Sequence, residues 1–219
     1  MAERGAAPLT PEQFRAAADV SRETIERLQA YEAMLRKWQK AINLVGPRTL
    51  NDVWRRHFLD SAQLLPLAPA GAQTWLDLGS GGGFPGLVLA VLGAPLVHMV
   101  ESDQRKAAFL REAARAAGAT NVVFHVKRVE AMQRVDLGAP IEVITARALA
   151  TPAEILAWTK DIATAATIYL LLGGQGAGQA LTEARKNWTM SAEALPSRTD
   201  SESRILRIWG VSREPSISS

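Results

Sequence analysis

The sequence predicts an α/β protein in which a doubly wound parallel sheet follows an N-terminal helical extension. Up to about residue 65 the apolar residues recur at helical spacing, whereas after Gly71 they form short runs alternating with helical stretches, the pattern of strands joined by crossover helices. The first of these runs, Trp75-Leu76-Asp77-Leu78, opens directly into Gly79-Ser80-Gly81-Gly82-Gly83-Phe84-Pro85-Gly86. Glycine tolerates positive φ and admits a ligand close to the backbone, and Pro85 suits the first turn of a helix. The second run, Leu96 to Val100, ends in Glu101 about 20 residues beyond the first glycine, the spacing of a ribose-binding acid. Together these features mark a nucleoside pocket at the carboxyl ends of two parallel strands.

Thr10 before Pro11 and Glu12 supplies an N-cap hydroxyl, an N1 proline and an early acid, so a helix starts there. Ser21 opens a second, in which Ile25, Leu28, Tyr31, Leu35, Trp38 and Ile42 form one apolar stripe and Arg27, Arg36 and Lys37 lie on the other face. Gly46 and Pro47 break that pattern, and a third helix is expected over 51–65, ended by Pro66 and Pro69. Residues 1–70 are thus read as the extension, 71–213 as the sheet domain and 214–219 as a frayed tail, with the N-terminal Ala/Pro segment also frayed. Strands are expected over 74–78, 96–101, 122–126, 141–145, 167–172 and 204–211, and helices over 85–92, 103–117, 152–164 and 179–187. The last strand follows a polar loop, Pro196 to Glu202, and is a candidate antiparallel edge.

With 219 residues and 47% apolar content the chain can bury one full α/β core. No apolar run approaches the ~20 residues that span a bilayer, and Glu3 and Arg4 ahead of a short Ala/Pro stretch leave no signal-peptide core, so a cytoplasmic protein with no membrane partner is expected. The absence of cysteine excludes disulfides, thiolate metal sites and the thiol nucleophile that methylation of a pyrimidine ring carbon requires. Only His57, His98 and His125 are available and they form no clustered motif, so no metal is expected. Neither G-x-S-x-G nor a P-loop lysine occurs. The net charge is only +3, but Arg36, Lys37, Lys40, Arg48, Arg55, Arg56 and His57 form one basic group and Arg105, Lys106, Arg111 and Arg115 another. Such groups are either solvated helix faces or contacts to a phosphate-rich partner.

Gly81 to Gly86 satisfies G-x-G-x-x-G literally, a weak signal shared with NAD enzymes. Asp77, two residues before Gly79, would repel a pyrophosphate but suits a ligand carrying an ammonium group. S-adenosylmethionine has one, plus a sulfonium, a ribose and no phosphate, and it is favoured over NAD, with a purely structural turn as the third reading. Glu101 can accept both ribose hydroxyls. Val129 and Glu130 follow the third strand, where they can bracket an adenine edge, and Arg147 ends the fourth between small residues that leave room for a flat ligand. His57 and Asp60, three apart on a helix, either share the pocket or bond to each other at the surface.

In order, Trp38-Gln39-Lys40 with Asn43-Leu44, Arg56-His57-Phe58-Leu59-Asp60-Ser61, Asp77 through Gly86, Lys106 with Phe109-Leu110, Arg128-Val129-Glu130 and Arg147-Ala148 resemble the bacterial ribosomal RNA small subunit methyltransferase G family, also called glucose-inhibited division protein B. The resemblance covers about residues 25 to 210. It implies a class I methyltransferase fold and transfer of a methyl group from S-adenosylmethionine to N7 of a guanine in the 530 loop of 16S rRNA, within the small ribosomal subunit or its precursor, with no DNA partner and the enzyme a monomer. Carried onto this chain, cofactor contacts fall on Gly79, Phe84, Val129, Glu130 and Arg147, with Glu101 on the ribose and Asp77 and Gly81 completing the loop. Basic positions matching the family's are Arg56, His57, Arg105, Lys106, Arg128 and Arg204, and Arg55 joins them from the basic group. After the fifth strand the family usually shows Leu-Lys-Gly, but this chain reads Leu171-Leu172-Gly173-Gly174. Guanine N7 carries a lone pair and no proton, so the reaction needs no general base, only alignment and charge management. An NAD-dependent dehydrogenase and a non-catalytic RNA-binding assembly factor are the rival readings.

Overall fold

The computed structural model describes residues 7–213, so the tail 214–219, expected to fray, and residues 1–6 lie outside the described residues, while Ala7 and Leu9 beside the Ala/Pro segment expected to fray are tied to Arg55 and Asp52. Helix α1 (Pro11–Ala18) begins at Thr10, whose hydroxyl accepts from the Gln13 amide while the Gln13 side chain accepts from the Thr10 amide. Helix α2 (Arg22–Gln39) begins at Ser21, whose hydroxyl accepts from the Thr24 amide. The single helix expected over 51–65 is instead a broken run. A 3₁₀ segment (Pro47–Asp52) leads into a π-helical turn (Trp54–Leu59), a short α3 (Asp60–Ala62) and a second 3₁₀ turn (Leu65–Leu67). The wider π turn buries three consecutive residues, His57, Phe58 and Leu59, which one face of an ordinary helix does not allow.

The sheet strands are β1 (Thr74–Leu78), β2 (Leu96–Val100), β3 (Val122–His125), β4 (Val143–Arg147), β5 (Ile168–Gly173), β6 (Trp188–Pro196) and β7 (Arg204–Arg213). Their order is β3-β2-β1-β4-β5-β7-β6, with β7 antiparallel to both neighbours and β1 to β5 parallel. β4 begins two residues later than expected because Pro140 and Ile141 precede the ladder. β6 is a correction to the sequence reading: Trp188 is its one buried residue and its exposed positions are Thr189, Ser191, Ala194 and Pro196, so the strand was not visible as an apolar run. β7, read as a candidate edge, lies between β5 and β6, and β6 forms that edge of the sheet, with β3 at the other.

Helices α4 (Gly86–Val91) and α5 (Gln104–Ala116) cover one face, and α6 (Pro152–Thr159) and α7 (Ala177–Ala184) cover the other. The extension packs on the α4/α5 side, where Phe14, Leu28, Tyr31, Leu35 and Phe58 join Leu87, Phe109 and Trp75 in one apolar cluster. Arg27 on α2 donates from Nε to the Ala117 carbonyl at 2.7 Å and from Nη2 to Gly118 at 3.1 Å, capping the end of α5. The chain crosses from one side of the sheet to the other between β1 and β4, and the carboxyl ends of these strands flank the crevice where ligands bind in such sheets. Among the described residues no helix is long and apolar enough to cross a membrane, and no group of three or more His, Asp or Glu is placed to hold a metal ion.

Candidate active site at the β1/β4 switch point

Three of the four strand ends singled out from sequence carry a charged residue that touches the glycine-rich loop: Asp77 at Gly86, Glu101 at Gly81 and Arg147 at Phe84. Asp77 on β1 is fully buried, and Thr145 of β4, its register partner, donates to its Oδ1 at 2.8 Å. Its Oδ2 lies against the start of α4 and makes no hydrogen bond of good geometry. Gly86 is required there, since a Cβ on it would fall 2.7 Å from the carboxylate. Burial lifts the Asp77 carboxyl to about 6, against the opposing hydrogen bonds from Ser80 and Thr145. Asp77 therefore acts from beneath the glycine loop, not from its open surface.

Glu101 joins two loops. Its Oε2 accepts from the Gly81 amide at 2.9 Å and its Oε1 from the Asp103 amide at 2.8 Å, which leaves each oxygen a lone pair for a further donor such as a ribose hydroxyl. Space above Gly81, whose φ is +50°, is open, with nothing closer than 3.7 Å to an added Cβ. At Gly79, by contrast, an added Cβ would strike the Leu149 side chain at 2.5 Å. Leu149 reaches that position because Ala148 leaves β4 with a φ of +49°. Leu149 also lines a cavity of about 360 Å³ with Ala146, Leu172, Gly173 and Gly174. Leu172 makes this wall apolar.

The remaining expected cofactor residues are spread around this centre. Val129 is buried and Glu130 is exposed in a 3₁₀ turn after β3, where Glu130 accepts from Arg128 at 3.2 Å. Phe84 does not face the open loop: its ring stacks on Tyr31 at 5.4 Å and on His57 at 4.8 Å, with the Arg147 guanidinium 4.9 Å from its centre. The Phe84–Pro85 peptide is cis, and Pro85 sits at the N-cap position, just before α4.

The basic group of the extension splits. Arg55 pairs with Asp52 at 3.0 Å and donates to the Ala7 carbonyl; Arg56 pairs with Asp200 at 3.0 Å. Both are committed to holding the extension together or to the β6–β7 loop. His57, taken from sequence as a basic contact, is 6% exposed and far from cationic. Burial, then Arg147, then Arg56 push its pKa down to about 3. Arg147 can only donate, so the 2.7 Å contact from its Nη1 makes His57 Nδ1 the acceptor and leaves the ring proton on Nε2. That proton points to Thr49 Oγ1 at 2.8 Å, and Thr49 donates in turn to the Gly46 carbonyl at 2.7 Å. His57 and Asp60 do converge, but on Arg147: Asp60 Oδ2 stands 4.0 Å from its Nη1. Arg105 donates to the Ala41 carbonyl and Arg204 to Ser201 and Ser203, while Lys106 is half-buried and Arg128 largely exposed.

Sequence reasoning missed four residues that shape the site. Tyr31 donates its hydroxyl to the Gly82 carbonyl. Gln39 accepts from the Leu44 and Val45 amides at 3.0 Å each and donates to the Val45 carbonyl, pinning a loop whose Leu44 carbonyl would lie 3.0 Å from a Cβ on Gly82. Thr49 and Leu149 complete the set. Gln39 stood in a family motif and Tyr31 in the apolar stripe, but no local signal distinguishes Thr49 or Leu149.

The buried groups give a definite acid response. His57 and His98, whose pKa burial lowers to about 4, resist a proton that the unfolded chain accepts below its ordinary value of 6.5, so stability falls as pH drops from 6.5 toward 4. Asp77 opposes this: raised from 3.8 to about 6, it takes up a proton in the fold first and adds stability as pH falls through that range. The thermal midpoint should therefore decline between about pH 6.5 and 4.5, and more steeply in Asp77→Asn. A midpoint that rises on acidification would show that Asp77 outweighs both imidazoles.

Residues 24–205 match the family described as rRNA small subunit methyltransferase G. The ribosomal RNA small subunit methyltransferase G of Rhodospirillum rubrum is 54% identical over 205 residues, covering 94% of this chain and 100% of that protein. That of Paramagnetospirillum magneticum is 50% identical over 203 residues, 93% of this chain and 97% of its own. Among solved structures, a mutant of MtNAS in complex with S-adenosylmethionine aligns with a TM-score of 0.57 at 16% identity, over 92% of this chain and 84% of that one. M. jannaschii TYW2 in complex with AdoMet aligns at 0.53 and 11% identity, over 70% and 74%. At those identities the likeness is one of fold, and it is that of the class I S-adenosylmethionine-dependent methyltransferases. With its strand order, its glycine loop tied to Glu101 and half its residues shared with these relatives along nearly the whole length, the chain belongs to the rRNA small subunit methyltransferase G family.

Proposed function

We propose that this chain transfers the methyl group of S-adenosylmethionine to N7 of a guanine in the 530 loop of 16S rRNA, as a cytoplasmic monomer acting on the small ribosomal subunit or its precursor. Its family makes it an S-adenosylmethionine-dependent rRNA methyltransferase, and an NAD-dependent dehydrogenase or a non-catalytic assembly factor is not favoured. The observation that carries the choice of N7 is that the histidine reaching the crevice is not a free base: His57 has both ring nitrogens engaged and is neutral.

When bound, S-adenosylmethionine supplies an electrophilic methyl on a sulfonium, open to the in-plane lone pair of a guanine N7. The residues fit this cofactor. Glu101 has lone pairs left for the ribose hydroxyls, Val129 and Glu130 stand where an adenine edge would lie, and the unpartnered Asp77 Oδ2 supplies negative potential beneath the glycine loop for an ammonium group. Arg147 offers a guanidinium for the methionyl carboxylate. The apolar cavity between Leu149 and Gly173-Gly174 would exclude water from an inserted base, while Arg105, Lys106, Arg128 and Arg204 would meet phosphates.

With saturating RNA, the single-turnover rate should be nearly flat between about pH 6.5 and 8.5, a window above the values of both His57 and Asp77. Mass analysis of the 530-loop fragment from cells with and without the protein should place the added methyl on guanine N7. A rate that climbs steeply with pH, or a methyl on an exocyclic nitrogen or a ribose oxygen, would overturn the assignment.

A further inference from the structure

We infer that His57 is a positioning residue for Arg147, holding the guanidinium without neutralising it so that its charge is kept for the carboxylate of the cofactor's methionyl arm; this rests on the cofactor reading above. Arg147 leaves β4 into a partly buried place, its side chain 20% exposed, where a guanidinium is usually met by a carboxylate. Here the close partner is a neutral ring nitrogen at 2.7 Å. The nearest acid, Asp60, stands back at 4.0 Å, with its Oδ1 occupied by the Thr199 hydroxyl at 2.7 Å and the Gln63 amide at 3.0 Å. Asp200 is spent on Arg56, and Asp77, bonded through Oδ1 to Thr145, acts on Arg147 only through space.

The imidazole is fixed in every degree of freedom that matters to this task. Its plane stacks on Phe84, the same ring that lies under the guanidinium, and its tautomer is set by the Thr49-to-Gly46 relay. A carboxylate at position 57 would orient Arg147 equally well but cancel its charge. Histidine with Nδ1 bare orients and leaves the charge available. S-adenosylmethionine carries a single anionic group, its carboxylate, so the expected partner of that charge is unambiguous.

The test compares S-adenosylmethionine with decarboxylated S-adenosylmethionine by titration calorimetry, on the wild type and two variants. His57→Phe keeps the stack on Phe84 and removes the acceptor; His57→Asn places an amide oxygen near the position of Nδ1. His57→Phe should weaken S-adenosylmethionine roughly tenfold while changing the decarboxylated ligand less than about twofold, and His57→Asn should recover most of the loss. In turnover the defect should appear in KM for S-adenosylmethionine, with kcat little altered. Should His57→Phe not fold, Thr49→Val, which releases the tautomer, carries the same comparison with the same ligand selectivity. Equal weakening of both ligands, an asparagine no better than phenylalanine, or a loss confined to RNA affinity would each overturn the inference. Failure of the wild type to bind S-adenosylmethionine at all would instead overturn the cofactor reading itself.

Discussion

Glu101→Ala should lower S-adenosylmethionine affinity by roughly 10- to 100-fold, the loss expected when a charged acceptor of about 1.5–3 kcal/mol is removed from a buried site. The effect has two origins. On the proposed reading the carboxylate accepts from the ribose, and it ties the Gly81 amide to the Asp103 amide, so the alanine variant is expected to lose a ligand contact and to slacken the loops that form the pocket. Asp103 caps α5 by accepting from the Arg105 and Lys106 amides, which should keep that helix formed and the fold intact. Calorimetry on the variant, with circular dichroism as the control, checks both halves. Unchanged affinity would remove Glu101 from the site.

Gly83→Ala should be the most damaging single methyl in the chain. Gly83 has a φ of +87°, and its added Cβ would run into the Tyr31 hydroxyl and come within 3.2 Å of Leu87 Cβ. Tyr31 cannot retreat: it is fully buried between Phe58 and Phe84, and its hydroxyl is the donor to the Gly82 carbonyl. Backbone strain and overpacking together cost about 2–4 kcal/mol, or roughly 5–15 °C in thermal midpoint for a protein of this size. Tyr31→Phe alone should cost about 1–2 kcal/mol by orphaning that carbonyl, yet the double variant should lose at least about 1 kcal/mol less than the sum, because the atom in collision is gone. Strict additivity would mean that the backbone conformation of Gly83, and not the contact with Tyr31, sets the cost.

These two residues also mark where the sequence is informative and where it is silent. Asp77, Glu101 and Arg147 are legible because position in a doubly wound sheet is itself information: a side chain at the carboxyl end of a strand near the switch point faces the crevice whatever its neighbours do. The strands β1, β2, β4 and β5 are legible for a similar reason, being largely buried on both faces and therefore continuous apolar runs. What depends on a partner far along the chain is not legible. His57 looks basic beside Arg55 and Arg56, and its conversion into a neutral acceptor is the work of burial first and then of Arg147, 90 positions later. The π turn that buries it follows from the packing of Phe58 on Phe14 and Tyr31, which no local propensity encodes. β6 escaped because an edge strand is allowed exposed positions, and Trp188 is its one buried residue.

The Arg27 guanidinium that closes the end of α5 ties a residue near the start of the chain to carbonyls 90 and 91 positions further on. On a translating ribosome that order is awkward. When α1 and α2 have emerged, the surfaces that receive Leu28, Tyr31 and Leu35 have not yet been made, and the helices wait with an apolar stripe in water until α4 and α5 follow. Contacts of such long sequence separation slow folding and lengthen the interval in which that stripe can meet another nascent chain. The extension is thus synthesised before the sheet that receives it and is among the last parts to find its place, and its dependence on trigger-type holding chaperones should exceed that of a methyltransferase whose helices follow its sheet.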